Sequence, residues 1–364
     1  MKAVILVGGE GTRLRPLTCN THKAMVPVLN KPFLEHMLLY LKRHGIDDII
    51  LALCYLPECI RSYFGDTRLG VKLTYVMEES PLGTGGAVKN AQRYLDDVFF
   101  VFNGDIFTDI DLQAMLAFHL ERKAKVSIAL TPVENPTAYG VVETRTQGRV
   151  KRFVEKPSWQ EVTTNLINAG IYILDPEVLG GIPPHIPFMF ERHLFPRLLE
   201  KGVPIYGYPS DAYWIDMGTP EKYLQLHHDL LQGKGTSTLC QEIRDKEITC
   251  RAQSLIHPTA KIEGAVIIGS GCRIGSGVRI KGPTVIGEGS KILEQATIEG
   301  AILWHNVQVG QQATLKDCIV GDNGSIGDHS FIPTGAVIGD NVTIAPGSQL
   351  LPGSKVWPDV KVTL

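Results

Sequence analysis

Residues Val7 to Thr18, VGGEGTRLRPLT, place three glycines (Gly8, Gly9, Gly11) and two arginines (Arg13, Arg15) directly behind the apolar run KAVILV. Glycines let a backbone approach an anion with its N–H groups turned inward, and arginine adds a forked cation. Phosphate is therefore the first ligand to test. Two phosphate loops are excluded by spacing: the dinucleotide fingerprint needs a glycine three places after Gly11, where Leu14 stands, and the P-loop needs Gly-Lys-Ser/Thr, which is absent. Taken alone, the stretch fits better a tight strand-to-helix turn with surface arginines.

The elements that must position these residues alternate in type. In PFLEHMLLYLKRHG, Leu34, Met37, Leu38 and Leu41 recur at i, i+3, i+4 and i+7, and Gly45 supplies a stop. DDIILAL, VKLTYV, DVFFVF and KVSIAL read as strands, with helical patterns near 57–64, 83–95 and 111–122. The alternation predicts an α/β fold, a Rossmann-like, mainly parallel sheet with helices on both faces, and ligands at its C-terminal strand edge. The glycine stretch and NGD (Asn103 to Asp105) fall just past strand ends. Asp111 is expected to cap a helix starting at Leu112, with Asp109 in a turn.

From Gln232 to Ala252 the chain is polar and reads as a linker; beyond it a period of six takes over. Isoleucine stands at 256, 262, 268, 274, 280, 286, 292 and 298. Small or β-branched residues follow four places later, from Ala260 and Val266 through Cys272, Val278, Thr284 and Ser290 to Ala296. The frame slips by one residue twice, through Leu303, Val309 and Leu315 and again to Val320, then continues from Ile326 to Val362. Neither a helix nor a flat strand has this period, whereas a solenoid of short strands and turns does.

A chain of 364 residues, 44% hydrophobic with net charge −2, predicts a folded protein of two domains. The absence of a basic cluster argues against nucleic acid, and no apolar run approaches the roughly 20 residues of a membrane span. AVILV runs straight into glycines as a strand, not a signal segment, so a cytoplasmic protein is expected. The seven cysteines (Cys19, Cys54, Cys59, Cys240, Cys250, Cys272, Cys318) contain no C-x-x-C pair. They indicate neither a disulfide framework nor a zinc site and are expected to be mostly small core residues.

Read as Gly9-x-Gly11-x-Arg13-Leu14-x-Pro16-Leu17-Thr18 with Lys23 after it, the opening stretch resembles the signature loop of the sugar-nucleotide pyrophosphorylases, or nucleotidyltransferases. PLGTGGAV (81–88), NGD (103–105), YGVV (139–142), FVEKP (153–157), NAGIYIL (168–174) and WIDMGTP (214–220) follow in that family's order. The C-terminal half resembles the hexapeptide-repeat left-handed parallel β-helix, from which three hexads per turn, and about six turns, are expected. The resemblance implies a catalytic domain over 1–232, a linker over 233–252 and a β-helix over 253–364, the last a scaffold for self-association into a homo-oligomer. An appended acyltransferase is the sharper alternative; His305 and His329 are candidate bases, without a matching motif.

The family reaction joins a sugar-1-phosphate to a nucleoside triphosphate and releases pyrophosphate. The attacking phosphate is already anionic near pH 7, so no general base is required, in keeping with the lack of a recognisable Ser-His-Asp or Cys-His pattern. What the chemistry needs is cations and aligned N–H groups. The resemblance assigns the nucleotide to Leu6, Gly8, Gly9, Gly11, Thr12, Arg13, Glu78, Gly83, Thr84 and Asn103. It gives the phosphates to Arg13 and Lys23, Mg²⁺ to Asp105 and Asp216, and the sugar phosphate to Gly140, Glu155, Lys156 and Asn168. Arg15 is expected to be structural or solvent-facing. A carboxylate only accepts hydrogen bonds and guanine offers two adjacent donors, so Glu78 leans toward GTP, with Glu79 leaving the register open. The spelling FVEKP also resembles the guanylyltransferases that use mannose-1-phosphate. UTP- or dTTP-dependent glucose-1-phosphate enzymes and GDP-heptose-forming enzymes are the alternatives. His22 stands where the family has proline, which puts the rigidity of the loop in question.

Overall fold

The computed structural model describes residues 1–235 and 248–363. Most of the expected linker, and Cys240 with it, lie outside the described residues. The chain forms two compact units, one of residues 1–9 and 37–214, the other of residues 10–36 and 215–364.

The first unit is built on a ten-stranded mixed sheet. Its parallel part runs Phe99–Asn103, Lys2–Leu6, Asp48–Leu53, Val71–Met77, with Leu6 in register with both Ala52 and Asn103, and Ala52 with Val76. All four strands therefore end along one edge. Helices form at Pro57–Phe64, Gly83–Asn90 and Leu112–Glu121, where the apolar spacing places them. Asp111 caps the last, its Oδ1 accepting from the N–H groups of Gln113 and Ala114.

Beyond Phe99–Asn103 the sheet turns antiparallel, through Leu166–Leu174, Val126–Pro132, Gly140–Thr144 and Val150–Glu155. Parallel neighbours need a crossover of a dozen residues or so, and the turn between Thr144 and Val150 is too short for one. The strand Leu166–Leu174 bends at a bulge between Asn168 and Tyr172.

In the second unit the hexads wind into three parallel sheets. Ile256 pairs in series with Ile274, Ile292, Val309, Ile326, Ile344 and Val362, which is six turns. The frame slips are real: Ile286 pairs with Leu303 and Leu303 with Val320, each 17 residues on, where the other coils take 18. Cys272, Val278, Thr284, Ser290 and Ala296 fill the inner corners, buried. Of the six described cysteines only Cys272 and Cys318 are buried; Cys19, Cys54 and Cys59 are half-buried and Cys250 is exposed, which corrects the expectation that most of them are core residues.

The same unit holds a hairpin, Pro27–Val28 with Lys31–Pro32, whose two turn residues Leu29 and Asn30 both have positive φ (50° and 64°), as a tight twisted hairpin requires. It also holds the helix Pro220–Leu231, capped by Thr219. No described helix is long and apolar enough to cross a membrane.

Candidate active site

At the C-terminal edge of the parallel strands the loops pack closely. The Gly104 N–H donates to the Leu6 carbonyl (3.0 Å), and a Cβ on Gly104 would overlap that oxygen. NGD therefore crosses directly over the end of the first strand, which leaves Asp105 half-buried in the loop beyond. Gly8 lies against Cys54 and Glu78, its missing Cβ 3.3 Å from Cys54 Cβ and 3.5 Å from Glu78 Oε1. Gly9, by contrast, has open space where a Cβ would stand.

Glu78 is buried and Glu79 is exposed. Burial raises the Glu78 pKa, and the Leu82 N–H, donating to Oε2 at 2.9 Å, pulls it back. Gly83 opens the following helix with φ +70°. Asn103 Oδ1 is buried without a hydrogen-bond partner.

On the other side of the sheet edge Gly140 makes room for its neighbour: a Cβ there would stand 2.8 Å from Glu155 Oε2. The Glu155 pKa is raised by burial and by Glu191, offset by Lys156 and Arg192. Lys156 turns with φ +49°, its N–H bonded to the Tyr139 carbonyl, and its side chain is exposed. Asn168 sits at the bulge, its Oδ1 accepting from Gly170 N–H and its Nδ2 donating to the Tyr172 hydroxyl (2.8 Å).

Sequence reasoning missed what lies behind Asn168. Tyr172 donates to Glu191 Oε1 (2.9 Å), and Thr84 donates to Glu191 Oε2 (2.9 Å). A chain of hydrogen bonds, buried at its centre, thus joins Thr84 to Asn168. Glu191 lies in PFMFERHLF, where nothing local marks it as a partner of residues 107 places away.

The second unit carries the other candidates. Gly11 has φ +66°, is confined by Lys23 and Thr18, and starts the short helical turn Thr12–Leu14; the Thr18 hydroxyl donates to its carbonyl (2.8 Å). His22, where proline was expected, is 1% exposed, and its Nδ1 accepts the Ala24 N–H at 3.0 Å. It caps the turn Lys23–Met25.

Arg13 reaches Gly218, whose missing Cβ would stand 2.8 Å both from Arg13 Nη2 and from Asp216 Oδ1. Arg13, Gly218 and Asp216 are thereby brought together. Asp216 also accepts the Gly218 N–H (3.0 Å) and pairs with Lys222 (2.8 Å), a cation the sequence reading overlooked. Arg15 pairs with Glu10 near the surface. In the β-helix, His305 bonds Asp322 Oδ1 (3.0 Å), which raises its pKa against burial, while His329 is an exposed corner residue.

Residues 2–233 match the nucleotidyl transferase family. The chain belongs to that family. The C-terminal part of this nucleotidyl transferase, residues 246–350, matches the left-handed β-helix domain of EIF2B subunit epsilon. A mannose-1-phosphate guanylyltransferase of Mycobacterium tuberculosis is 39% identical over 300 residues, 82% of each chain. A UTP–glucose-1-phosphate uridylyltransferase of Synechocystis is 35% identical, covering 93% of this chain and 90% of that one. Among solved structures, HddC of Yersinia pseudotuberculosis complexed with GMP-PN is 33% identical with a TM-score of 0.54, over 62% of this chain and 97% of that one.

Proposed function

We propose that the protein transfers a guanylyl group from GTP to mannose-1-phosphate, giving GDP-mannose and pyrophosphate. The observation that carries the choice of base is Glu78: a buried carboxylate beside Gly8, at the end of a parallel strand, suited to accept from both N1–H and the 2-amino group of guanine. The guanylyltransferase relatives support it.

In this reading an oxygen of the sugar phosphate forms a bond to the α-phosphorus while the bond from that phosphorus to the pyrophosphate oxygen breaks. Glu155, Lys156, Asn168 and Gly140 hold the sugar phosphate, Lys156 as a compact cation. Leu6, Gly8, Gly9, Gly11, Thr12, Gly83, Thr84 and Asn103 hold the nucleotide. Arg13 and Lys23 take up the charge of the departing pyrophosphate.

Nucleotidyl transferases generally use a divalent metal, and we assign Mg²⁺ to Asp105 and Asp216. Carboxylate oxygens suit a hard cation, and Asp216 already attracts the Lys222 ammonium to Oδ2. Bound metal would neutralise phosphate charge. Self-association through the β-helix, where Leu351, Trp357 and Val360 are exposed, completes the reading and is checked by sedimentation mass.

The test is pyrophosphate release from each of four nucleoside triphosphates paired with mannose-1-phosphate and glucose-1-phosphate. GTP with mannose-1-phosphate is expected to be the best pair. A preference for UTP or dTTP overturns the role of Glu78 and favours the reading of the Synechocystis relative; silence of every pair with Mg²⁺ present overturns the activity.

A further inference from the structure

The segment that carries Arg13 and Lys23 folds with the β-helix, in one unit. Asn30, at the hairpin tip, donates to the Ile286 carbonyl (3.0 Å), and Asn20 to Asp340 (3.5 Å). Between these lies Tyr223, completely buried, whose hydroxyl donates to the Pro27 carbonyl (2.5 Å) and accepts from Trp304 Nε1 (2.9 Å).

Trp304 breaks the repeat. The residue that follows the stacked position on its face is Gly269, Gly287, Gly321 and Gly339 in four other coils, Arg251 in the first and Trp357 in the last. Glycine suffices for the solenoid at that corner, so stacking of the coils does not call for an indole there. Trp304 is 1% exposed, and its single donor is spent on Tyr223.

Tyr223 in turn holds two pieces of the phosphate side. Pro27 follows the turn Lys23–Met25, whose Val26 N–H bonds the Lys23 carbonyl. Lys222, adjacent to Tyr223, pairs with Asp216.

We propose that Trp304 and Tyr223 are positioning residues for nucleotidyl transfer, through which the β-helix sets the place of Lys23 and Asp216. This rests on the roles given to those two residues above. The solenoid is then a seat for part of the reaction machinery and not only a scaffold.

The experiment compares full-length wild type, Tyr223→Phe, which keeps the ring and removes both hydrogen bonds, and Trp304→Phe. Hydrogen exchange of the segment 22–28 is read by mass spectrometry alongside steady-state kinetics. In both variants these amides are expected to exchange about tenfold faster, and kcat to fall about tenfold with the triphosphate KM raised and the sugar-phosphate KM unchanged. A lowered Tm with unchanged exchange, or faster exchange with wild-type kcat and KM, overturns the proposal. Should wild type turn over no pair of substrates, the proposed function fails, and the exchange comparison decides this inference by itself.

Discussion

The two units obtain their neighbours in opposite ways. In the β-helix each residue pairs with one 17 or 18 positions away, coil after coil. In the sheet unit the partners are scattered: Gly104 rests on Leu6, Gly170 on Asn103, Thr84 bonds Glu191. A repeat tolerates local damage because each coil contacts only its neighbours, whereas the sheet edge depends on a few contacts with no substitute. Candidate chemistry gathers where the contacts are irregular, and in the solenoid Trp304, a departure from the glycine column, bonds Tyr223.

The sharpest break of this contrast is at the assigned carboxylates. Asp105→Asn or Asp216→Asn should lower pyrophosphate release about a hundredfold or more while circular dichroism stays that of wild type. A variant near the wild-type rate in excess Mg²⁺ refutes the metal assignment.

Next in size is Gly104→Ala. Its Cβ would overlap the Leu6 carbonyl, with Val7 Cγ1 at 2.6 Å, so urea denaturation should show a loss of about 3 kcal/mol. At Gly271, in the β-helix, the added Cβ meets open space and only the φ of +69° is strained, so the same change should cost about 1 kcal/mol. Equal losses would show that the overlap with Leu6 is not what requires glycine at 104.

Asp340 gives a pH test. Burial and Asp322 push its pKa up from 3.8 to about 6, against the Asp322 N–H and Asn20. The folded state keeps this proton to higher pH than the unfolded chain, so unfolding releases a proton in that window and stability falls as pH rises from 3.8 to about 6. Asp340→Asn keeps an acceptor for the Asp322 N–H, and should flatten that slope and raise stability at pH 7.5 by up to about 2 kcal/mol, read from Tm across pH.

The smallest effect belongs to the ladder Asn306, Asn323, Asn341 and Asp359, in which each amide donates to the next side chain, the last to the Asp359 carboxylate, at 3.3, 3.0 and 3.0 Å. Asn323 has φ +58°, so Asn323→Ala should cost about 1 kcal/mol and Asn323→Gly less. Equal costs would place the stabilisation in the side-chain ladder and not in the backbone.

Apolar periodicity made much of the fold legible. The hexads and both frame slips appear as strand register, because a solenoid maps sequence spacing directly onto space. The helices at 57–64, 83–90 and 112–121 follow their apolar spacing for a similar reason. In the antiparallel half KVSIAL was legible as a strand, but its pairing with Leu166–Leu174, across a long separation, leaves no local mark.

The site divides similarly. Gly11 and Asp111 could be read from local backbone needs. The burial of Glu78 and not Glu79, the capping by His22, the Lys222 pair with Asp216 and the Thr84–Glu191–Tyr172–Asn168 chain depend on packing that sequence spacing does not encode. Trp304 had a signal, the missing glycine in its column, but only the register of the coils gives that column meaning.

Residues 10–36 belong with residues 215–364, and this has a bearing on birth at the ribosome. The arginine-bearing segment is made before the coils that bond it, at Ile286 and Asp340. A nascent chain that stalls between the two would carry the whole parallel sheet and still lack the hydrogen bonds that hold residues 10–36, so on the function proposed above turnover would wait for the later coils.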